Sequence, residues 1–325
     1  MIQVVGLIIP LFGLIALGAI MGRIKRLPLN ELGWLNTFVV YLALPALFFS
    51  LLAKTPVETL TRWDFILTNL GVTFLVLAVT FTVALAATRG RIDEASVQAL
   101  ASGYGNIGYM GPGLALLVFG PEAAVPVALI FCFENMMHFT LAPAMMALAG
   151  RQAKPAWRVA RDVVRQIVTH PFIVATALGV LAAALQVSLP GPITRLIDTL
   201  ANAAAPCALF AMGVTLVLRP LTRVPAALGY VVPMKLVVHP ILMFAGLTLA
   251  GPFDPVWTAT AVLLASLPTA TNVFVIAQQY DVWTERASAS ILATTVLSVG
   301  SVTLLLYAMT SGLLPGAVAV PVLPG

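Results

Sequence analysis

Long apolar runs, separated by short polar loops, fill the chain from residue 4 to residue 310. A helix needs roughly 20 mostly apolar residues to cross the hydrocarbon core of a bilayer, and each run is close to that length. The pattern therefore predicts an all-α integral membrane protein with ten transmembrane helices. The predicted spans are 4–22, 33–52, 65–87, 95–119, 123–148, 163–186, 194–217, 225–249, 256–279 and 287–310.

The composition supports a lipid-facing exterior. Hydrophobic residues make up 60% of the chain and charged residues 9%, and the mean hydropathy is +1.02. A water-soluble domain carries roughly 25% charged residues. The basic residues lie in loops rather than on one face, which argues against a nucleic-acid partner. Cys132 and Cys207 both lie in apolar runs, so we predict neither a disulfide nor a metal site, and no cofactor.

Lys and Arg residues concentrate in every second loop, as they do on the cytoplasmic side of membrane proteins. These loops contain Arg23, Lys25 and Arg26; Arg89 and Arg91; Arg151, Lys154, Arg158, Arg161 and Arg165; Arg219 and Arg223; and Arg286, whereas the other loops contain Lys54, Arg62 and Arg195. We expect both termini outside the cytoplasm. The basic loop after residue 149 contains Trp157 and can begin as an interfacial helix.

The two halves of the chain are similar to each other. Pro10 and Pro45 are 35 residues apart, as are Pro171 and Pro206, and "LAS" ending at Ser102 matches "LAS" ending at Ser266. Because five spans are an odd number, the second half would enter the membrane inverted, as in many secondary transporters. Chance similarity between apolar helices is the alternative. The predicted units are a first five-helix repeat (1–150), a second inverted repeat (151–310) and a flexible tail (311–325).

The fourth and ninth predicted spans contain residues that interrupt helices. Residues 103–113 include five glycines and Pro112, and Pro268 is followed by Thr269, Thr271 and Asn272. Each interior glycine weakens a helix by roughly 1 kcal/mol and each proline by about 3 kcal/mol. Non-helical backbone at membrane depth is tolerated only inside protein or beside a wet cavity. Paired interruptions favour a substrate site, and half-helix N-termini favour an anion; the alternative is that Gly and Pro are common in membrane helices.

Three segments resemble the auxin efflux carrier family: "NTFVVYLALPALFF" (Asn36–Phe49), "GYGNIGYMGPGLAL" (Gly103–Leu116) and "PTATNVFVIAQQY" (Pro268–Tyr280). The resemblance covers essentially residues 1–310. It implies the ten-helix fold of bile-acid sodium symporters, with broken helices 4 and 9 crossing. It also implies a scaffold of spans one, two, six and seven, a mobile transport unit of spans three to five and eight to ten, and a homodimer.

The same resemblance implies a binding site for a carboxylate beside the crossing, with one Asn at each break. The residues that match or flank the breaks are Asn106, Ile107, Gly108, Tyr109, Met110, Pro268, Thr269, Thr271 and Asn272. The chain lacks the long central loop of the plant members, and it is more similar to bacterial members that carry malonate and related acids. We therefore expect a bacterial inner-membrane protein.

Ionisable residues inside the membrane are costly and are functional candidates. Glu134 and His138 lie four residues apart in span five, next to Asn135, and Lys235 lies near the middle of span eight. The first two can carry a proton, balance substrate charge, or form a structural pair. Lys235 can contact the anion, pair with Glu134, or extend toward the cytoplasm. His170 and His239 each precede a proline, where a structural role is favoured.

The sequence thus predicts a secondary transporter of a small organic anion, malonate or an auxin-like acid, working by an elevator mechanism. The alternative is a sodium-coupled symporter of a bulkier anion, so proton and sodium coupling both stay open. No "GxxxxGK" loop or "HExxH" motif is present, which argues against ATP-driven transport and against a metalloprotease. An enzyme is not expected, and a channel is disfavoured by the repeat.

Overall fold

The structure of the protein is a computed structural model whose described residues are 2–25, 32–151, 155–218 and 224–311. Helices account for nearly all regular structure in these residues. They are α1 (Ile2–Lys25), α2 (Leu32–Leu52), α3 (Trp63–Ala87), α4 (Ile92–Gly103), α5 (Gly111–Phe119), α6 (Ala124–Leu148), α7 (Ala156–Val168), α8 (Pro171–Ala184), α9 (Gly191–Leu218), α10 (Leu228–Ala250), α11 (Pro255–Ser266), α12 (Thr271–Gln279) and α13 (Thr284–Thr310).

Several helices are suited to cross a membrane. In the described residues six helical stretches are long and apolar enough to do so, and a bent pair, Trp157–Val168 with Pro171–Ala184, would make a seventh. An all-helical membrane protein is therefore confirmed, whereas the ten-span inverted repeat stays a prediction. Residues 312–325 of the predicted tail, and the basic residues Arg26, Lys154, Arg219 and Arg223, lie outside the described residues.

The sixth predicted span, 163–186, contains a bend that its apolar pattern does not indicate. Residues 163–168 belong to α7, and the axis turns by 54° before α8 begins at Pro171. His170 has the extended backbone that a residue before proline prefers, with φ −67° and ψ 125°. The expected interfacial helix thus runs on to Val168. Its arginines are exposed, and the guanidinium of Arg158 lies 5.3 Å from the Trp157 ring centroid.

Two transmembrane helices contain a π-helical segment just before a proline. In α2 the segment is Val39–Ala43, before Pro45, and in α10 it is Met234–Val238, before Pro240. A proline cannot donate to the carbonyl four residues earlier, so the ladder shifts to i→i−5 bonds. The N–H of Leu44 accordingly donates to Val39 O, and that of His239 to Met234 O. The widened turn in α10 contains Lys235, which is fully buried.

Helices α1 and α9 pack with their backbones in close contact. A Cβ atom on Gly213 would lie 1.9 Å from Ile15 O, and one on Gly18 would lie 2.1 Å from Phe210 O. Gly18 and Gly22 form a GxxxG spacing on α1, the small-residue pattern that lets membrane helices approach closely. Only glycine fits at these contact points. The pair therefore forms a tight unit at one side of the bundle.

Candidate functional site

Both predicted helix interruptions are present in the structure. Helix α4 ends at Gly103 and α5 begins at Gly111, while α11 ends at Ser266 and α12 begins at Thr271. The backbone is extended at Tyr104, with ψ 98°, and at Leu267, with ψ 151°. The four half-helices therefore end or begin inside the protein, where their terminal N–H and C=O groups need other partners.

The two interruptions cross and satisfy each other's backbone. Gly105 and Thr269 form an antiparallel bridge. The N–H of Asn106 donates to Pro268 O at 2.8 Å, and the N–H of Ala270 donates to Tyr104 O at 2.9 Å. Thr269 adds a bond from its hydroxyl to Ala101 O at 2.6 Å. These reciprocal bonds fix the position of one break against the other and supply partners that the broken helices lack.

A small pocket of about 80 Å³ opens beside the crossing. Its polar lining comes from both breaks and from α6, and its apolar wall comes from α2, α6 and α8. The lining residues are Val40, Tyr104, Gly105, Asn106, Gly108, Tyr109, Phe131, Asn135, His170, Phe172, Ala270, Thr271 and Asn272. No carboxylate lines it, so an anion would meet no fixed negative charge there.

A chain of side-chain hydrogen bonds runs along one wall of this pocket. Asn272 Nδ2 donates to the Tyr104 hydroxyl at 2.7 Å, and that hydroxyl donates to Asn135 Oδ1. Asn135 Nδ2 in turn donates to Phe131 O at 2.6 Å. The chain ends on the backbone carbonyl of Phe131, so the amide of Asn272 is held in place against the pocket. Such anchoring preorganises polar groups for a ligand.

Unpaired backbone donors also face the pocket region. Within the described chain, the N–H groups of Thr271 and Asn272, at the start of α12, have no backbone acceptor. Ala270 caps this helix without a side-chain hydrogen bond. A free helix N-terminus carries partial positive charge and donors suited to an anion. On the other break, Asn106 Oδ1 accepts from Tyr109 N at 3.4 Å and Asn106 Nδ2 contacts Met212 Sδ at 3.2 Å.

Some residues predicted for the site lie next to the crossing but outside the pocket. Ile107 and Met110 are buried in the apolar core. Pro268 contributes its carbonyl to the crossing, and the N–H of Thr269 donates to Thr294 Oγ1 at 3.1 Å. Pro268 and Thr269 thus hold the crossing together, and Ile107 and Met110 pack beside it. The predicted residues that do line the pocket are Asn106, Gly108, Tyr109, Asn135, Thr271 and Asn272.

Of the membrane-embedded ionisable residues, Glu134, His138, Lys235 and His239 lie behind the crossing, whereas His170 lines the pocket. Lys235 Nζ donates to Ala265 O at 2.6 Å, near the C-terminus of α11. The Glu134 carboxylate accepts from the Thr73 hydroxyl at 2.9 Å. His138 reaches Glu134 through its backbone carbonyl, at 2.6 Å from Nδ1, rather than through its carboxylate. The His138 ring instead stacks on Tyr104, with centroids 4.0 Å apart.

Four residues that sequence reasoning did not assign to the site lie at or near it. Tyr104 and His170 line the pocket, and the Nδ1 atom of His170 is buried without a hydrogen-bond partner in the described structure. Thr73 and His239 contact the buried charges. The signal for Tyr104 was its position between two glycines in the first break. The other three lie on distant segments, so only the fold brings them here.

The described residues do not form a cluster of side chains that could hold a metal ion. No cluster of three or more His, Cys, Asp or Glu side chains is arranged to hold an ion. Cys132 and Cys207 are both free thiols. The chemistry available at the crossing is therefore amide, hydroxyl and backbone hydrogen bonding, with buried Lys, His and Glu side chains behind it.

Comparison with known proteins gives the same class of protein. The profile of the family described as "Membrane transport protein" matches residues 3–306. A protein of Rhizobium meliloti (strain 1021) named "Putative malonate transporter" is 62% identical over 315 residues, covering 97% of this chain and 98% of the relative. An "Uncharacterized transporter" of Methanothermobacter thermautotrophicus is 26% identical over 296 residues, covering 90% and 93%. The chain therefore belongs to this membrane transport protein family, the auxin efflux carriers, and is a multi-pass membrane transporter rather than an enzyme.

Proposed function

We propose that the protein is a secondary transporter of a small dicarboxylate of the malonate type, which binds in the pocket beside the crossing. The observation that carries the proposal is the crossing itself. Backbone hydrogen bonds of 2.8 and 2.9 Å join the two broken helices. The N-terminus of α12, whose first N–H groups have no backbone acceptor in the described chain, opens toward amide side chains. An anion bound there would receive hydrogen bonds from Asn272 and from the helix N–H groups. The name of the Rhizobium relative supports malonate as the first substrate to test.

The size of the pocket supports a small substrate over a bulky one. Its volume of about 80 Å³ is well below the roughly 300–1,000 Å³ of sites that hold drug-sized ligands. The side chains of Phe131 and Phe172 close its apolar wall, with ring centroids 4.9 Å apart. We therefore favour a short-chain carboxylate over the bulkier anion of the sodium-coupled alternative.

The mechanism we propose is an elevator movement of the predicted transport unit, spans three to five and eight to ten, against the predicted scaffold, spans one, two, six and seven, in a fold of two inverted five-helix repeats, 1–150 and 151–310. Two features support it. The breaks exchange reciprocal hydrogen bonds, as related elements of an inverted repeat would. The pocket also lies between the predicted scaffold and the predicted transport unit. Val40, His170 and Phe172 come from scaffold spans, whereas Asn135 and both breaks come from the transport unit.

The ion pairs support the proposed orientation, with both termini outside the cytoplasm of a bacterial inner membrane. Arg91 and Arg286, from two predicted cytoplasmic loops, lie 2.6 and 3.6 Å from the Glu94 carboxylate. Lys54, in a predicted external loop, lies 3.7 Å from Asp198, which lies near the predicted external end of span seven. Loops assigned to the same side thus lie together. The homodimer implied by the resemblance is tested by the mass of the purified protein in detergent.

The test is uptake of radiolabelled malonate into proteoliposomes containing the purified protein. We expect the wild type to take up malonate, and Asn106→Ala and Asn272→Ala to weaken its binding about tenfold, as expected for one lost buried hydrogen bond. Asn202→Ala is the matched control, because Asn202 is exposed on α9 away from the pocket. A thermal-shift series of mono- and dicarboxylates then defines the preferred chain length.

Three outcomes would contradict the proposal. Absence of malonate uptake by the wild type would exclude malonate as the substrate. Normal transport by both Asn106→Ala and Asn272→Ala would exclude the assigned site. Uptake that requires sodium would instead favour the sodium-coupled alternative.

A further inference from the structure

A continuous chain of buried hydrogen bonds connects Lys235 to Glu134 through the side chains of His239 and Thr73. Lys235 Nζ lies 3.2 Å from His239 Nδ1, His239 Nε2 lies 3.3 Å from Thr73 Oγ1, and the Thr73 hydroxyl donates to Glu134 Oε1 at 2.9 Å. The four residues come from α3, α6 and α10. Their exposed fractions are at most 3%.

The chemistry of the four groups fixes how protons can be arranged in this chain. With Glu134 ionised, Thr73 donates to the carboxylate, so His239 must donate through Nε2 and accept at Nδ1 from the Lys235 ammonium. The same heavy atoms also permit the reverse order. One proton then passes from Lys235 Nζ to His239 Nδ1, the Nε2 proton passes to Thr73 Oγ1, and the Thr73 proton passes to Glu134. Both arrangements contain the same number of protons and have no net charge.

We propose that this chain is the coupling site of the transporter and takes up one proton for each anion bound, a proposal that rests on the function proposed above. An added proton leaves Lys235 as an ammonium and Glu134 as a neutral acid, so the buried chain then has a charge of +1. A net charge inside a membrane protein is costly unless an opposite charge lies close to it. The bound carboxylate supplies that opposite charge.

The distance between the charge and the pocket is short enough for this coupling. A Cβ atom on Gly105, which lines the pocket, would lie 3.2 Å from Lys235 Nζ, so only a glycine backbone separates the ammonium from the pocket. At such separations in a low-dielectric interior, opposite charges attract strongly. Binding of the anion then favours protonation, and by linkage protonation favours binding of the anion.

Other titratable groups surround the chain and bear on its pH dependence. His138, on α6, contacts the Glu134 carbonyl with Nδ1, and its Nε2 is buried without a partner in the described structure. Tyr104 stacks on His138 from the first break and bonds Asn135 and Asn272. Neither ring forms a hydrogen bond with a side chain of the four-member chain.

The experiment measures proton flux into proteoliposomes, with a trapped pH-sensitive dye, when malonate is added outside. We expect the wild type to take up protons together with malonate. Thr73→Val removes only the bridging hydroxyl, so we expect malonate binding to persist while malonate-driven proton flux falls about tenfold or more, as for a removed proton-transfer group. Thr73→Ser should restore the flux. Glu134→Gln should transport without proton flux and without pH dependence.

The matched control is Thr80→Val, which removes another fully buried hydroxyl from α3, one that bonds only Val76 O of its own helix. We expect wild-type proton flux from it. If the wild type takes up malonate but no protons, the coupling proposal fails while the transport function stands; if it takes up no malonate, both fail. Proton flux that survives in Thr73→Val would mean that the proton travels on the substrate, and would overturn the proposal.

Discussion

The Nζ atom of Lys235 lies beside Gly105, in the space that a side chain at this position would enter. A Cβ atom on Gly105 would lie 3.2 Å from Lys235 Nζ and 3.3 Å from Leu264 O. Both neighbours are fixed, because Nζ donates to Ala265 O and Leu264 O belongs to the backbone of α11. A side chain at this position would therefore force Lys235 or the α11 backbone to shift by a few tenths of an ångström, and the buried Lys235 side chain lies directly behind the pocket.

The first prediction concerns Gly105→Ala. The added methyl group must displace Lys235 from Ala265 O or move the crossing, so we expect malonate uptake to fall about tenfold or more, corresponding to roughly 1.4 kcal/mol. Gly71→Ala in α3 is the control, because a Cβ atom there would meet nothing within 4 Å. Uptake is measured in proteoliposomes with matched protein content. If Gly105→Ala takes up malonate as fast as the wild type, the close approach of Lys235 to Gly105 does not affect transport.

The second prediction is that Tyr104→Phe weakens substrate binding. The lost hydroxyl links Asn272 to Asn135, and its removal leaves buried amide atoms without partners, which costs about 1–3 kcal/mol. We expect the malonate Kd, measured by calorimetry in detergent, to rise about fivefold to a hundredfold. Tyr230→Phe is the control, because the Tyr230 hydroxyl donates to Gln98 and neither residue lines the pocket beside the crossing. Equal affinities in both variants would exclude Tyr104 as a positioning residue.

The sequence predicted the two interruptions because glycine and proline act locally. Residues 104–110 and 267–270 leave the helical conformation where the pattern indicates it, and Asn106 and Asn272 both reach the pocket. The bend inside the sixth predicted span was not predicted, because the apolar residues of α7 continue into α8 across it. Composition does not distinguish an amphipathic helix from a span at such a junction.

The buried chain from Lys235 to Glu134 was not predictable in the same way. Its members lie on three helices, and Thr73 is one hydroxyl among many in an apolar run. The π-helical turn before Pro240 rotates Lys235 relative to an ideal helix, so spacing along the sequence gives the wrong face. His239 was given a structural role because it precedes Pro240. Long-range packing, which one sequence does not reveal, decides these contacts.

The third prediction concerns pH and the ion pair of Asp93 with Arg151, whose atoms approach to 2.6 Å. Burial raises the pKa of Asp93, but hydrogen bonds from Arg151 and from the backbone of Glu94 outweigh it and hold this pKa below 3.8. A lowered folded-state pKa gives stability that is present near neutral pH and is lost as pH falls through that pKa. The pair joins the start of α4 to the end of α6.

We expect Arg151→Gln to lower the Tm in detergent by about 1–2 °C at neutral pH, since the arginine is partly exposed and such pairs contribute at most about 1 kcal/mol. The difference from wild type should shrink as pH falls below about 4. Arg195→Gln, which removes an exposed arginine from α9, should show no such trend. A constant difference across the pH range would exclude the ion pair as its cause.

The fourth prediction concerns the contact between α1 and α9. Gly213→Ala places a methyl group 1.9 Å from Ile15 O, and Gly18→Ala places one 2.1 Å from Phe210 O. Both obstructing atoms are backbone oxygens, which cannot move aside without separating the helices, so we expect each variant to lose about 1–3 kcal/mol of stability, as overpacked cores do. Gly13→Ala on α1 meets nothing within 4 Å and is the matched control. Thermal unfolding followed by tryptophan fluorescence measures the effect.

Because a Gly→Ala change in a helix is otherwise stabilising by about 0.5–1 kcal/mol, a raised Tm in Gly13→Ala beside a lowered Tm in Gly213→Ala would isolate the helix contact from propensity. Unchanged unfolding in Gly18→Ala and Gly213→Ala would mean that α1 and α9 lie farther apart than the structure places them.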